Sequence, residues 1–209
     1  DRGRKGQGRQ ARRRNRTGVC PLGAAGAGEN GLIDFAAPPA RVKAMREKAK
    51  SRPGWDAYFM DIARVVKSRS NCLRRDVAAV VTRDHRIVST GYNGTPTGIR
   101  NCFEGGCARC AGDSASGENL GECICAHAEE NAIVQAAHYG VALSGATLYC
   151  TESPCLICAK MIISAGIREV VYGTEYRFNR QVAALFREAR VRFRKFAGTP
   201  GPAVARRRK

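Results

Sequence analysis

A hairpin signal followed by three alternations of helix and strand marks this chain as α/β. It predicts a mixed five-stranded sheet covered by helices on both faces, a three-layer α/β/α arrangement. Asp76 to Thr82 and Arg86 to Tyr92 are strand-like runs separated only by Arg83, Asp84 and His85, so they pair as a hairpin. From residue 127 onward, stretches with helical spacing alternate with short apolar runs. Gly140, Gly145 and Gly166 punctuate these elements where helix ends and turns need them.

The fold begins near Pro53. Trp55, Tyr58, Phe59, Ile62 and Val66 recur at helical spacing, which gives an amphipathic helix over 54–68. That stripe is expected in the core rather than as an aromatic platform for a ligand. The hairpin follows, with His85 a solvated residue in its turn, and Gly91 to Pro96 opens as a loop from the second strand. Residues 101–125 are rich in Cys and Gly with little periodicity and read as an inserted loop. The alternation then runs helix 127–139, strand 146–150, helix 155–165, strand 168–172, helix 179–189 and strand 191–196. One domain over 51–197 accommodates all of this.

The 209 residues carry 36 Lys and Arg against 18 Asp and Glu, a formal net charge of +18. Eight of the basic residues lie in 1–16 and four in 206–209; without these and Asp1, 24 basic side chains face 17 acidic ones. The excess therefore sits at the ends. Residues 1–50 read as a disordered basic leader and linker, with 41–50 able to form a short polar helix, and 198–209 read as a basic tail. A nucleic-acid arm or the remnant of an organellar transit peptide are the alternatives for these ends. No apolar run reaches the eighteen or more residues of a membrane-spanning helix. The ten cysteines include C-x-x-C spacings that, beside His127, favour metal binding in a reducing compartment, cytoplasmic or nuclear, over disulfides.

The chemistry is carried by His127, Ala128 and Glu129, followed by Pro154, Cys155, Leu156, Ile157 and Cys158. One imidazole and two thiolates make three zinc ligands and leave a fourth position for water, as in a catalytic site. Both motifs open a predicted helix, where the dipole favours thiolates and Pro154 costs no hydrogen bond. Cys155 and Cys158 share a helical face, and His127 comes from the other helix. H-x-E followed by P-C-x-x-C is the signature of zinc-dependent nucleobase deaminases. There zinc brings water toward a pKa of about 7, and Glu129 would carry its proton to ring N3 of a cytosine and then to the departing amino group. The alternative is a structural zinc knuckle completed by Cys150 or an insert cysteine. It gives Glu129 no purpose, and Cys150, alternating with Leu148, reads as core.

These motifs belong to longer blocks: Trp55-Asp56-Ala57-Tyr58-Phe59-Met60, Gly91-Tyr92-Asn93-Gly94, His127-Ala128-Glu129-Glu130-Asn131-Ala132 and Ser153-Pro154-Cys155-Leu156-Ile157-Cys158-Ala159-Lys160. In this order, over 55–196, the chain resembles the deoxycytidylate (dCMP) deaminases of the cytidine deaminase-like superfamily. The resemblance implies that fold and the hydrolysis of dCMP to dUMP and ammonia, which feeds thymidylate synthesis. It implies a homo-oligomer, commonly a hexamer, activated by dCTP with Mg2+ and inhibited by dTTP. It further implies that Asn93 contacts the sugar or base and that Tyr176 lies near the substrate phosphate. Gly91, Tyr92, Asn93 and Gly94 would take part in nucleotide regulation. Taken from the residues alone, Asn93 and Gly94 are an ordinary turn pair and Tyr176 a half-buried tyrosine.

The insert is closer to fungal and phage versions than to animal ones. Cys72 and Cys102 fall where a phage-type enzyme places ligands of a second, structural zinc. Cys107, Cys110, Cys123 and Cys125 are available to complete it, with Cys110 and Cys125 the preferred pair. The six cysteines could instead hold two more zincs or leave some thiols idle. A Gly-rich loop of this length rarely orders itself without a clip. Bacterial late-competence proteins share much of the pattern, and nucleic-acid-editing deaminases use the same zinc chemistry; both stand as alternatives.

Overall fold

The computed structural model describes residues 52–177 and 179–199. The expected leader over 1–50 and residues 200–209 of the expected tail lie outside the described residues. Helix α1 is Trp55–Lys67, strands β1 and β2 are Ala78–Arg83 and Arg86–Tyr92, and after the insert come α2 (Ala128–His138), β3 (Thr147–Glu152), α3 (Leu156–Ser164), β4 (Glu169–Thr174), α4 (Asn179–Glu188) and β5 (Arg192–Lys195). The strands form one sheet in the order β2-β1-β3-β4-β5. Its β2-β1-β3 portion is antiparallel and its β3-β4-β5 portion parallel. The hairpin makes the first portion, and the crossover helices α3 and α4 make the second, because only a crossover can return the chain in parallel.

Asp84 and His85 adopt φ of 51° and 58°, the left-handed pair that a two-residue type I′ hairpin turn demands. Strand β1 is buried from Ala78 to Thr82, as a strand covered on both faces should be. Alternate side chains go to opposite faces. Val80, Tyr149 and Val171 pack against Phe59, Met60 and Ala63 of α1. Ala79, Val81, Leu148, Cys150 and Val170 meet Ala128, Ala132, Ile162, Val182 and Phe186 from α2, α3 and α4. Helix α3 ends in a Schellman turn: Gly166 has φ 74° and donates to Ile163 O, and Ile167 donates to Ile162 O.

The aromatic stripe of α1 departs from expectation. Phe59 is buried, but Trp55 and Tyr58 stay 52% and 44% exposed. Helix α1 lies on the sheet through Phe59, Met60 and Ala63, so its first turn overhangs the hairpin. There Trp55 stacks on His85 at 4.3 Å between ring centroids and 9° between planes. His85 is exposed, as expected of the turn, yet it has this partner. The start of α1 is also tied across the sheet: Asp56 accepts from Arg194 at 2.6 and 3.0 Å and from the Tyr149 hydroxyl at 3.0 Å.

Candidate active site

Both motif helices begin at the site. His127 is the N-cap residue of α2, and Cys155 is the N-cap residue of α3, which follows the carboxyl end of β3. The backbone N–H of His127 donates to Glu130 Oε2 at 2.6 Å, which pins the start of α2. Glu130 was not singled out in the sequence, although a carboxylate three residues past a helix cap is a readable signal. Helix α2 is held on β2 by Asn131 Nδ2 donating to Tyr92 O at 2.8 Å and by Ser89 Oγ donating to Ala132 O at 2.7 Å. The seam is close because Gly91 has no side chain: a Cβ there would stand 2.1 Å from Ala128 O and 2.5 Å from Ala132 N.

The helix starts bring together the three residues of the expected centre. His127 Nδ1 lies 3.3 Å from Cys158 Sγ and 3.4 Å from Cys155 Sγ, and the two sulfurs are 3.6 Å apart. A tetrahedral ion with Zn–S of about 2.3 Å and Zn–N of about 2.0 Å needs S···S near 3.8 Å and S···N near 3.6 Å. The donor set fits zinc. Its electrostatics fit as well. The hydrogen bond from Cys158 lowers Cys155 to about 4, and the bond with Cys155 raises His127 to about 9. Cys158 moves the opposite way, its proton held by the bond to the Cys155 sulfur and by burial. A divalent cation bound there would let both thiols ionise. Glu129 is 4% exposed beside them, and burial pushes its carboxyl up to about 7 despite the pull of His127.

His127, Glu129 and Cys155 line a cavity of about 280 Å³ at the carboxyl ends of β3 and β4, with Cys158 buried behind them, where open α/β sheets bind ligands. Asn93 and Tyr176 line it too. Asn93 Oδ1 accepts from Val77 N and Ser70 Oγ at 2.8 and 2.7 Å, and its Nδ2 donates to Arg75 O at 2.8 Å. One amide hydrogen therefore remains for a ligand. Tyr176 is half-buried, and its N–H donates to the Ser153 hydroxyl at 2.8 Å. Of the segment expected to regulate, Gly91 and Tyr92 belong to β2 rather than to a loop, and Gly91 serves the α2 seam. Gly94 exchanges backbone hydrogen bonds with Ala126, joining the loop to the residue before His127.

Arg75 and Arg109 give the cavity a cationic rim that sequence reasoning did not find. Arg75 bonds Glu152 at 2.7 Å and the Ser116 hydroxyl at 2.9 Å, and its guanidinium lies 4.9 Å from the Tyr176 ring centroid. Nothing local marks Arg75 out, because its partners come from the insert, β3 and the segment after β4. The insert closes the same cavity, and Cys72, Cys102, Cys110 and Cys125 within and beside it have all four sulfurs within 4.8 Å of one another.

A family model described as the cytidine and deoxycytidylate deaminase zinc-binding region matches residues 53–174. The chain belongs to this family. It is 47% identical over 145 residues to the deoxycytidylate deaminase of Schizosaccharomyces pombe, covering 69% of this chain and 45% of that one. It is 42% identical over 130 residues to that of Mycobacterium phage D29, covering 60% of this chain and 98% of that one. A crystal structure of dCMP deaminase from the cyanophage S-TIM5 in complex with dCMP and dUMP superposes with a TM-score of 0.59 at 32% identity, covering 70% of this chain and all of that one. The chain spans about half the length of the yeast relatives it matches. The sheet and its helices are those of the cytidine deaminase-like fold. Among the described residues no helix is long and apolar enough to cross a membrane.

Proposed function

We propose that this chain hydrolyses dCMP to dUMP and ammonia, with residues 51–197 as the catalytic domain and a zinc ion held by His127, Cys155 and Cys158. The observation that carries the reading is the convergence of these three donors beside a buried carboxylate, at a cavity lined by His127, Cys155 and Glu129. A zinc ion bound there supplies the Lewis acidity that makes water nucleophilic at neutral pH. Glu129, with its affinity for protons raised to about 7, accepts a proton from the attacking water and hands it to N3 of the cytosine. Protonation at N3 draws electron density from C4, where the water oxygen adds. Glu129 then takes the remaining proton from the hydroxyl added at C4 and delivers it to the amino group, which leaves as ammonia as the C4 carbonyl forms. Asn93 uses its remaining amide hydrogen to orient the base or sugar. Arg75, beside Tyr176, and Arg109 supply positive charge for the single phosphate.

The remaining assignments rest on resemblance together with placement. A structural zinc would sit on Cys72, Cys102, Cys110 and Cys125. The segment of Gly91, Tyr92, Asn93 and Gly94 would take part in control by dCTP with Mg2+ and by dTTP, within a homo-oligomer. The free thiols suit a reducing compartment such as the cytoplasm.

Steady-state rates on dCMP, cytidine, adenosine and an RNA stem-loop test the reaction, with dCMP expected to be the preferred substrate. Glu129→Gln should retain zinc and lose activity by about 100- to 10,000-fold. Zinc-loaded protein that leaves dCMP intact and converts another base, or a Gln variant that stays active, would overturn the proposal.

A further inference from the structure

We infer that the insert binds two zinc ions in one binuclear thiolate cluster, with Cys110 and Cys125 bridging the metals. The two sulfur quartets around the insert are not separate. Cys72, Cys102, Cys110 and Cys125 form one, and Cys107, Cys110, Cys123 and Cys125 form the other, each with all sulfurs within 4.8 Å. They have Cys110 and Cys125 in common. Among the described residues no such group joins Cys72 or Cys102 to Cys107 or Cys123. That is the pattern of two tetrahedra sharing an edge, and it is not the pattern of one six-sulfur knot.

The separations agree. Cys72 and Cys110 sulfurs are 3.8 Å apart, Cys110 and Cys123 3.7 Å, and Cys107 and Cys123 3.9 Å. The edge of a tetrahedron with Zn–S bonds of about 2.3 Å is about 3.8 Å. Six sulfurs then satisfy two four-coordinate ions that would otherwise need eight. The six thiolates and two divalent ions leave a net charge of −2. Arg74 lies against it, its Nε donating to Cys110 O at 2.9 Å, and the backbone N–H of Leu73 points to Cys102 Sγ at 3.4 Å.

The insert has no apolar core of its own. Its buried cluster consists of cysteines alone, while Phe103 and Ile124 are 53% and 47% exposed. Its regular structure is limited to single turns at Cys102–Glu104, Ala108–Ala111 and Leu120–Glu122. A single zinc on the first quartet would clip Cys72 and Cys102 to the ends of the insert. It would leave Cys107 and Cys123 unused and the stretch 111–124 held by hydrogen bonds such as that from Arg75 to Ser116, with no metal. The second metal fastens that stretch. Cys110, Cys123 and Cys125 also line the cavity with Arg109, so the cluster sets the position of the rim.

Elemental analysis of the purified full chain should give three zinc ions, one at His127 and two in the insert. Replacement by 113Cd should give two resonances split by each other through the bridging sulfurs, and a third, unsplit resonance from the His127 centre. Cys107→Ser should lower the count from three to two and abolish the splitting while leaving the third resonance in place. Should that variant fail to fold, the splitting in the unmodified protein decides. Two ions per chain, or three with no metal–metal splitting, would overturn the cluster. The unsplit resonance reports the His127 centre by itself, so such a result would leave the proposed reaction standing.

Discussion

Gly91→Ala adds one carbon at the seam between β2 and α2, 2.1 Å from Ala128 O and 2.5 Å from Ala132 N. Both contacts are helix backbone and cannot rotate aside, so the helix must move by about 1 Å to restore van der Waals separation. Overpacking of this kind costs about 1–3 kcal/mol, and an unyielding neighbour puts the cost near the top of that range. Loss of glycine's freedom in the unfolded chain returns about 0.4–1 kcal/mol. The net expectation is about 2 kcal/mol, or about 4–8 °C in Tm for a domain of this size. His127 rides on the displaced helix, and metal sites tolerate ligand errors of only about 0.2 Å, so zinc affinity should fall as well. Thermal melts and chelator competition measure both effects. Gly121→Ala, where an added Cβ meets nothing within 4 Å, is the control. A Gly91→Ala protein with parental Tm and parental zinc affinity would refute the close-packed seam.

Phe186 is fully buried against Phe193, with ring centroids 5.1 Å apart, so Phe186→Ala should cost about 3–5 kcal/mol in urea unfolding; a loss under about 1 kcal/mol would place α4 elsewhere. Asp56 is held below its ordinary value of 3.8 mainly by its hydrogen bond with Arg194. A lowered folded-state pKa stabilises above the unfolded value and is lost as pH falls through the folded one. The stability gap between parent and Asp56→Asn should therefore be constant near neutrality and close below about pH 4; a gap independent of pH would dismiss the bridge. Stripping metal from the full chain should lower Tm, and added zinc should restore it, because binding to the folded state alone stabilises it. Equal melting of stripped and loaded protein would contradict that coupling.

The element order was legible because glycine and proline mark the ends and each apolar run is too short for more than one strand. The expected helix over 54–68 is observed as Trp55–Lys67, and the expected strand over 86–92 as Arg86–Tyr92. The convergence of His127, Cys155 and Cys158 was legible for a similar reason: each motif opens a helix, so local spacing already aims the ligands. What depends on non-local packing was not. Helical spacing put Trp55 in the core, but where a helix overhangs its sheet is decided by the sheet. Cysteine spacing named six candidate ligands, yet which sulfurs belong to both quartets follows from how 101–125 folds back on Cys72. Arg75 gave no signal, since its partners lie far along the chain.

The cavity has two unlike walls. On the α2 side, Ala128 and Ala132 already press against bare backbone, and any larger residue shifts the histidine itself. Opposite, Arg109 and Ser116 project from the insert, whose buried cluster is made of cysteines alone. Exchanges on the insert wall can therefore reshape the cavity at less cost to the position of His127 than exchanges at the helix wall.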